Sequence, residues 1–351
     1  MFKKLRIGTR DSKLAIRQTE EIINLYKERY PEIIFDIKKY KTSGDYDKTI
    51  PLAEVNRQNF FTDTIEEALL KNEIEIAVHS AKDLPDIIPS GLVISAVTKA
   101  IDPYDVLVSK NNLKLDELPK GAKIGTSSKL RKEQLKKYRS DLEIIDIRGN
   151  IEERLFTLYN SDMDGIVIAA AGLIRLGLEK GITQRISFDI LKPHPLQGSL
   201  AIEVKKDNME LVNLTNSIDA REKILFVCSE YSYISQMAET IINHLYWPRF
   251  FAYTASSKQY GSINFFALKV MKEKGVDISV QGIKSFDDIQ GINFDYIITI
   301  GYNEVCPYYP TVKRISWDIS YPKVEKIEFF RRICEEIENK IREGLFSRGE
   351  K

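Results

Sequence analysis

The 351-residue sequence has few of the residues that mark specialised protein classes. It contains three cysteines and three histidines, and its net charge is +1. Three cysteines do not build the disulfide framework of a small secreted protein, so each is expected to be a buried apolar side chain or a reactive thiol. The near-neutral charge gives no electrostatic reason to expect a nucleic-acid partner. No apolar run reaches the roughly 18 residues of a membrane span, so we expect no membrane partner. His79, His194 and His244 lack the spacing of metal ligands, so no metal site is predicted and the three are expected to be packing or surface residues.

Apolar residues make up 43% of the chain and charged residues 29%, a balance typical of folded globular proteins. The length exceeds one ordinary core and suits two or three domains. The first residues enter a predicted strand at once and leave no room for a signal peptide. We therefore expect a cytoplasmic protein, and we expect it to be a monomer.

Short apolar strands alternate with amphipathic helices along the first part of the chain. Residues 5–7 are a predicted strand, and Ser12 is placed to cap the helix that follows. Residues 74–78 form a further apolar strand, which leads to Lys82 and Asp83. Such alternation predicts an α/β fold with mostly parallel sheets.

Changes in this pattern divide the chain into three domains. A second unit begins near Asp102, the chain returns to the first unit near residue 193, and the strand–helix pattern restarts at Lys223. The predicted limits are residues 1–100 with 193–220 for the first domain, 101–192 for the second and 221–351 for the third.

Five arginines of the first two domains lie at or just past strand ends or in the first turns of helices. Ligands of open α/β sheets bind at such strand ends. A guanidinium fork is suited to a carboxylate, so the arrangement predicts a small ligand with several carboxylates. The alternative is that the arginines are solvated surface residues. The five are Arg10, Arg131, Arg148, Arg154 and Arg175.

Asp83 is the second candidate for a functional residue, because it follows an apolar strand and lies beside Lys82. A carboxylate and an ammonium at a buried strand end perturb each other's protonation. A carboxylate in that position stabilises a cation that forms on a bound ligand. The alternative is an aspartate that caps a helix.

Six segments resemble the hydroxymethylbilane synthase (porphobilinogen deaminase) family, in the family's order and at its spacing. One such segment is a weak match, whereas six in order across residues 4–220 are specific. They are residues 6–12 (RIGTRDS), 78–85 (VHSAKDLP), 125–128 (GTSS), 147–150 (IRGN), 171–178 (AGLIRLGL) and 197–198 (QG).

The resemblance implies two periplasmic-binding-protein-like domains and a transferase of tetrapyrrole and heme biosynthesis. The family joins four porphobilinogens head to tail, loses ammonia at each step and builds on a dipyrromethane cofactor linked to a cysteine. Loss of ammonia leaves a methylene-pyrrolenine cation, which the free α-carbon of the growing chain attacks. By resemblance, Asp83 is the catalytic residue: it holds the pyrrole N–H groups and stabilises that cation.

The resemblance also implies which residues bind the substrate. Each pyrrole carries an acetate and a propionate, which explains a demand for arginines. Carboxylate-binding positions of the family match Arg10, Ser12, Ser128, Arg131, Arg148, Arg154 and Arg175, and further site positions match Asp45, Lys82 and Gln197.

Three features depart from the family pattern. A family lysine in the loop over the site is Gln58 here, with Arg57 beside it. The family's pair of arginines at the start of a helix is Leu130 and Arg131, so one carboxylate ligand is lost. The family's third domain, which carries the cofactor cysteine, is not found, because the match stops near residues 219–221.

From residue 224 the sequence resembles low-molecular-weight protein tyrosine phosphatases and arsenate reductases, which implies a flavodoxin-like α/β fold. In that family a cysteine, five further residues and an arginine form a loop that binds an oxyanion while the cysteine attacks. Here Cys228 is followed by Ile234 at the arginine position, and Tyr321 replaces the aspartate general acid before Pro322. Phosphatase chemistry is therefore expected to fail.

Cys228 is the candidate anchor for the dipyrromethane, with an inert relic of the phosphatase-like loop as the alternative. It ends a predicted strand and begins a loop that runs to Ser235, before a helix predicted from Gln236. Such a setting favours a thiolate. Cys306 and Cys334 are expected to be structural, so we expect Cys228 to be the most exposed and most nucleophilic of the three.

These observations leave three functions open. The first is a hydroxymethylbilane synthase whose cofactor domain has been exchanged. The second is a non-catalytic protein that binds a pyrrole or another polycarboxylate on the same scaffold. The third is a thiol-based phosphatase or arsenate reductase that acts through Cys228. The intact Asp83 and the aligned arginines favour the first, and the missing cofactor loop favours the second.

Overall fold

The computed structural model describes residues 2–46, 60–85, 87–228, 232–256, 264–276, 278, 285–301, 313–319 and 326–345. They form two compact units. The second unit takes the chain from Arg221 onward together with Ile87–Ile94 and Lys206–Met209, and the first unit takes the rest. This division keeps the first two predicted domains together, and their limits stay a prediction.

Strands and helices alternate through most of the described chain. The strands are β1 (Lys4–Arg10), β2 (Ile34–Tyr40), β3 (Ile76–Ser80), β4 (Leu92–Val97), β5 (Asp105–Ser109), β6 (Lys123–Gly125), β7 (Glu143–Ile145), β8 (Gly165–Ala169), β9 (Gln184–Arg185), β10 (Leu200–Lys205), β11 (Glu222–Val227), β12 (Phe250–Ala255), β13 (Tyr296–Ile300) and β14 (Lys313–Trp317). The α-helices are α1 (Lys13–Lys27), α2 (Ser43–Tyr46), α3 (Asp63–Leu70), α4 (Lys129–Tyr138), α5 (Ile151–Asn160), α6 (Ala170–Arg175), α7 (Met209–Asn216), α8 (Ser232–Leu245), α9 (Phe265–Glu273) and α10 (Ile327–Gly344). Short 3-10 turns cover Ala81–Asp83, Glu179–Gly181 and Asp287–Ile289.

The first sheet has the strand order β2-β1-β3-β10-β4. β1 pairs in parallel with β2 and β3, whereas β10 runs antiparallel to β3. Helix α1 begins after Ser12, whose hydroxyl accepts a hydrogen bond from the N–H of Ala15 and so caps the helix as predicted. Because β1 and β3 are parallel, their carboxyl ends lie at the same edge of the sheet. Arg10 is the last residue of β1 there, and Asp83 ends the 3-10 turn that follows β3.

The second sheet has the order β7-β6-β8-β5-β9. β6 pairs in parallel with β7 and β8, and β5 is antiparallel to β8 and β9. Polar side chains begin two of its helices: Ser128 caps α4, and Asn150 forms a reciprocal capping box with Glu153 on α5. These caps set the point at which each helix begins beyond a strand end.

The second unit contains a four-stranded sheet of order β12-β11-β13-β14, and all three pairings are parallel. Its core combines the strands with α8, α9 and the buried face of α10. The predicted α/β fold with mostly parallel sheets is confirmed. One boundary was wrong, because α8 begins at Ser232 and not at Gln236. No helix in the described part of the chain is long and apolar enough to cross a membrane.

Candidate functional site

A pocket of about 90 Å³ opens where β1 and β3 end. Asp83 lies in its wall because the 3-10 turn carries the chain directly from β3 to this edge. Three of the predicted site residues, Arg10, Ser12 and Asp83, line the pocket, and α1 contributes Leu14, Ala15 and Gln18. The lining residues are Arg10, Ser12, Leu14, Ala15, Gln18, Phe61, Thr62, Val78, His79, Ser80 and Asp83.

Charged residues near both sheets of the first unit act on the pKa of Lys82. Withdrawal of its ammonium from water lowers the pKa of Lys82, and the positive charge of Arg131 lowers it further. The carboxylates of Asp83 and Asp105 act in the opposite direction. Lys82 is therefore coupled to residues such as Arg131 and Asp105, which lie in the predicted second domain.

Arg154 belongs to the same charged cluster. Burial lowers the pKa of Arg154, and the like charges of Arg131 and Arg148 lower it further, whereas Asp83 raises it. Its Nε donates a 2.8 Å hydrogen bond to the carbonyl of Gly149, which holds the guanidinium near the start of α5. Gly149 has a φ of +101°, and a Cβ there would lie 2.4 Å from the carboxylate of Glu153. The turn that presents these arginines therefore requires glycine.

Arg10 is held at the pocket by Asp45. Its guanidinium donates to both carboxylate oxygens of Asp45, and its Cζ lies 5.0 Å from the ring centroid of Phe61. Burial raises the pKa of Asp45, but the hydrogen bonds from Arg10 and from Thr42 outweigh that effect and lower the pKa overall. Asp45 thus orients an arginine of the pocket wall.

Arg131 is the centre of a buried polar network. Its Nη2 donates to Asp105 Oδ1 at 2.6 Å and to Gln197 Oε1 at 3.2 Å. The Gln197 amide in turn donates to Asp105 Oδ1 at 2.7 Å and to the carbonyl of Pro103 at 3.0 Å. Only 10% of the Arg131 side chain and 2% of the Asp105 side chain are exposed. The network ties α4 and β5 to the segment before β10.

Arg175 bridges α6 and α1. Its Nε lies 2.7 Å from Glu21 Oε2, and its Nη2 donates to Glu21 Oε1 at 3.1 Å and to the carbonyl of Gly198 at 3.0 Å. Gly198 has a φ of +88°, and a Cβ there would lie 2.5 Å from the carbonyl of Asp102. The fork of Arg175 is therefore directed at the protein's own acceptors, and its side chain is only 4% exposed.

The two predicted serines cap helices at the site. Ser12 Oγ accepts a hydrogen bond of 3.2 Å from the Ala15 N–H, and Ser128 Oγ accepts one of 3.5 Å from the Arg131 N–H. Ser12 also lines the pocket. Both positions lie at helix N-termini, where the backbone field favours a bound anion.

The sequence interpretation missed Glu203. Its Oε2 lies 3.0 Å from His79 Nε2, and both side chains are buried. His79 was expected to be a packing or surface residue, yet it lines the pocket and is paired. A signal was present, because Glu203 interrupts an otherwise apolar strand, β10. Glu21, the partner of Arg175, gave no such signal because it lies on an ordinary amphipathic helix.

The expected exposure of Cys228 was wrong. Its side chain is 0% exposed and packs in the core of the second unit, as does Ile234, also at 0%. The thiol is covered because α8 and the neighbouring strands close over the end of β11. Cys334 is buried as well, and burial raises the pKa of its thiol to about 11. Cys306, Tyr321, Pro322, Arg57 and Gln58 lie outside the described residues.

The charged cluster fits a ligand with several carboxylates. Lys82, Arg131, Arg148 and Arg154 crowd positive charge around Asp83, and an anionic ligand relieves that repulsion. The carboxylates of a dipyrromethane suit these residues. The two described thiols, Cys228 and Cys334, are both buried, so a thioether to either requires the core of the second unit to open. No group of three metal-ligand side chains is assembled within the described residues.

Comparison with known proteins assigns both parts of the chain. Residues 5–213 match the family model described as porphobilinogen deaminase, dipyromethane cofactor binding domain. The porphobilinogen deaminase of Natranaerobius thermophilus is 43% identical over 235 residues, which cover 67% of this chain and 76% of that protein. The one of Clostridioides difficile is 42% identical over 229 residues, covering 65% and 76% respectively.

Residues 223–348 match the family model of low molecular weight phosphotyrosine protein phosphatases. A thioredoxin-dependent arsenate reductase of Corynebacterium glutamicum is 31% identical, with 35% of this chain and 59% of that chain covered and a TM-score of 0.30. A low molecular weight protein tyrosine phosphatase from T. tengcongensis is 23% identical, with 35% and 97% covered and a TM-score of 0.31. The chain belongs to the porphobilinogen deaminase family and carries a C-terminal domain related to low-molecular-weight phosphotyrosine phosphatases.

Proposed function

We propose that the chain is a hydroxymethylbilane synthase, which condenses four porphobilinogens head to tail with loss of ammonia. The observation that carries the proposal is the position of Asp83. It lies in the wall of the pocket with Arg10 and Ser12, and it is coupled electrostatically to Lys82 and Arg154. One carboxylate within a group of cations suits a substrate that carries carboxylates on its rim and develops positive charge at its centre.

Asp83 is the proposed catalytic residue. A carboxylate in this position accepts hydrogen bonds from pyrrole N–H groups and stabilises the methylene-pyrrolenine cation that remains after ammonia leaves. Lys82 beside it provides a cation for a carboxylate of the same ring.

The arginines divide into two proposed groups. Arg10, Arg148 and Arg154 bind substrate carboxylates directly, with Ser12 and Ser128 at the adjoining helix starts. Arg131 and Arg175 hold the binding surface in shape, because their forks are engaged by Asp105 with Gln197 and by Glu21 and their side chains are only 10% and 4% exposed. Arg10 is paired with Asp45 as well, but 28% of its side chain is exposed. Asp45 belongs with the second group, since it orients Arg10.

A dipyrromethane supplies, when bound, the first pyrrole with a free α-carbon for the chain to grow on. Arg148 and Arg154 are the residues that we propose to hold its carboxylates. The covalent anchor is a separate matter, since Cys228 reaches solvent only if the core of the second unit opens. Cys228 remains the proposed anchor, and attachment there requires the core of the second unit to open.

A specific observation favours a second candidate function, the non-catalytic binding of a pyrrole or another polycarboxylate. The described thiols are both buried, and a synthase without an anchored primer loses its growing chain between additions. The third candidate, a phosphatase or arsenate reductase acting through Cys228, is opposed by the buried Ile234 in place of the oxyanion-binding arginine.

The deciding experiment is intact-mass measurement of the full chain from a host that makes porphobilinogen, combined with a porphobilinogen consumption assay. A dipyrromethane-sized mass increase that is lost in Cys228→Ser and kept in Cys306→Ser, together with turnover, supports the synthase anchored at Cys228. Unmodified protein that binds porphobilinogen without consuming it supports the binding protein. Turnover with all three cysteines replaced shows that the primer is held without a covalent bond.

The remaining parts of the proposal concern the setting of the protein. We propose a cytoplasmic monomer whose partner is the small molecule porphobilinogen, with neither nucleic acid nor membrane as a partner. The net charge of +1 supports the statement on nucleic acid. Size-exclusion chromatography with light scattering tests the monomer.

A further inference from the structure

A buried histidine–glutamate pair lies at the pocket of the first unit. His79 Nε2 is 3.0 Å from Glu203 Oε2, and 3% and 0% of the two side chains are exposed. His79 is on β3 and Glu203 on the antiparallel β10, where Ala201 faces His79 and Glu203 faces Ala77. The two side chains are therefore diagonal neighbours on one face of the sheet, held by two hydrogen-bonded strands.

The carboxylate of Glu203 has little structural reason to be there. Its second oxygen, Oε1, has no hydrogen-bond partner among the described residues. Its strand neighbours Ile202 and Val204 are fully buried apolar side chains. A buried carboxylate is costly unless it is paired, and an apolar side chain of similar volume is often as stable or more so. The pair therefore points to a role in the site and not in the core.

His79 occupies a distinctive position among the residues of the pocket wall. Arg10, His79 and Asp83 are the members of the lining with ionisable side chains. An arginine does not release its proton in proteins, and Asp83 is committed to the pyrrole N–H groups and the cation. An imidazole is the side chain that exchanges a proton near neutral pH. His79 is thus the wall residue suited to proton transfer.

We propose that His79 accepts the proton that each condensation releases, and that Glu203 is its positioning residue. The inference rests on the proposed synthase function. The aminomethyl group reacts in its ammonium form: the bond between the methylene carbon and nitrogen breaks, and its electron pair leaves with ammonia. A carbon–carbon bond then forms between that methylene and the free α-carbon of the other pyrrole. The α C–H bond breaks, its electrons restore the aromatic ring, and the proton moves to Nδ1 of His79.

Glu203 prepares His79 for this step in two ways. When Nε2–H donates to the carboxylate, Nδ1 is the nitrogen that carries the lone pair. The negative charge of Glu203 then stabilises the imidazolium until the proton passes to the departing ammonia, which leaves as ammonium. Atoms and charge balance, and no further reactant is required.

Other groups surround His79 from the elements that pack against β3. Glu66 on α3, which packs against β3, is buried, and Arg10 at the end of β1 lines the same pocket as His79. Asp83 and Lys82 follow on the same chain segment. On the α1 side, Gln18 donates to Ser80 Oγ at 2.9 Å and carries no charge. Glu203 on β10 hydrogen-bonds the imidazole directly.

The test uses His79→Gln in the full chain and porphobilinogen deuterated at its free α-carbon. The glutamine amide donates to Glu203 as Nε2 does, but it offers no base. We expect kcat to fall about a hundredfold, the scale of general-base catalysis, with KM nearly unchanged. A primary isotope effect larger than that of the wild type should appear, because removal of the α-proton becomes the slow step. His194→Gln, outside the pocket wall, is the matched control.

Glu203→Gln provides a second readout. It keeps the shape and a hydrogen-bond acceptor but removes the charge, so the imidazolium is less favoured. We expect kcat to fall about tenfold and the acid limb of the pH profile of kcat/KM to move to lower pH. A residue with a purely structural role does not move that limb.

The outcomes separate the inference from the function on which it rests. A folded His79→Gln protein with wild-type kcat and no added isotope effect overturns the role of His79 while the synthase function stands. If His79→Gln does not fold by circular dichroism, an unmoved pH profile in Glu203→Gln overturns the inference instead. A wild-type chain that consumes no porphobilinogen overturns the proposed function, and the inference falls with it.

Discussion

In the first unit, strand ends carry charged side chains that are exposed to a pocket or paired with one another, whereas in the second unit the end of β11 is apolar and closed. β3 leads to His79, Lys82 and Asp83, all of them coupled to other polar groups. β11 leads to Cys228, which is fully buried, and the following helix places Ile234 in the same core. The same type of strand–helix edge thus supports a ligand site in one unit and a hydrophobic core in the other.

The comparison indicates that a strand end forms a ligand site only where the fold stabilises the charged side chains that lie there. Several charges of the first unit are stabilised by a partner at some distance along the chain, such as Asp105 for Arg131. In the second unit Ile234 stands at the position of the arginine that would supply the countercharge of an oxyanion, and its side chain is fully buried. Apolar packing takes its place and covers the thiol.

Restoring the missing arginine is the strongest test of the closed edge. Ile234→Arg forces an unpaired guanidinium into a fully buried position, so we expect a loss of more than about 4 kcal/mol in the free energy of unfolding. Urea unfolding of the full chain measures it. Phe265→Arg, on an exposed apolar residue of the same unit, should change stability little. A stable Ile234→Arg protein that hydrolyses p-nitrophenyl phosphate would show that the loop has kept its oxyanion site.

Breaking the buried network of the first unit should have the next largest effect. Arg131→Met leaves the carboxylate of Asp105 buried with Gln197 alone, and we expect a loss of about 3–5 kcal/mol in the free energy of unfolding. Adding Asp105→Leu should recover part of it, since no charge is then left unpaired. The exposed pair of Arg17 and Glu20 provides the control, where Arg17→Met should cost less than about 1 kcal/mol. Equal losses in the two pairs would contradict the role of burial.

The carboxylate of Asp83, the proposed catalytic residue, can be replaced by an uncharged amide of the same shape. Asp83→Asn should lower porphobilinogen consumption by about 10²–10³-fold, the scale of a lost electrostatic stabiliser, and Asp83→Ala by at least as much. Thermal unfolding should stay close to that of the wild type, because Asp83 faces the pocket. Asp116→Asn, at an exposed residue bound to Tyr138, is the matched control. Turnover near the wild-type rate in both Asp83 variants would exclude Asp83 as the catalytic residue.

The smallest expected effect concerns Asp45 and its pH dependence. The pKa of Asp45 is lowered in the folded state, so its contribution to stability is present above the ordinary aspartate pKa of about 3.9 and is lost as the pH falls below it. Asp45→Asn should therefore cost about 1 kcal/mol at pH 7 and less at pH 3, and the cost is lost once the pH has fallen through the lowered pKa of the folded state. Urea unfolding at the two pH values measures the difference, with Glu20→Gln as a surface control. A cost that does not change with pH would mean that packing, and not charge, holds Arg10.

Local sequence determined the secondary structure and the placement of charges at strand ends. Alternating apolar runs predicted the α/β fold, and the helix caps at Ser12 and Ser128 followed from residue type at the first turn. These features depend on neighbours a few residues away, and their physics can be read from the sequence. The start of α8 was predicted four residues late. The prediction assumed the loop length of the phosphatase family, and this segment departs from that family's pattern.

Tertiary structure alone decided what each side chain contacts. Arg175 meets Glu21 across 154 residues, and His79 meets Glu203 across 124, so neither pair leaves a periodic signal in the sequence. For the same reason, five arginines that look alike in the sequence have different surroundings. The guanidinium groups of Arg10, Arg131 and Arg175 are engaged by Asp45, Asp105 and Glu21, whereas Arg148 and Asp83 both act on the charge of Arg154. Cys228 looks exposed at a strand end in the sequence, yet helices and strands that follow much later in the chain cover it. Burial is a property of the assembled elements, because it depends on which surfaces the folded chain brings together.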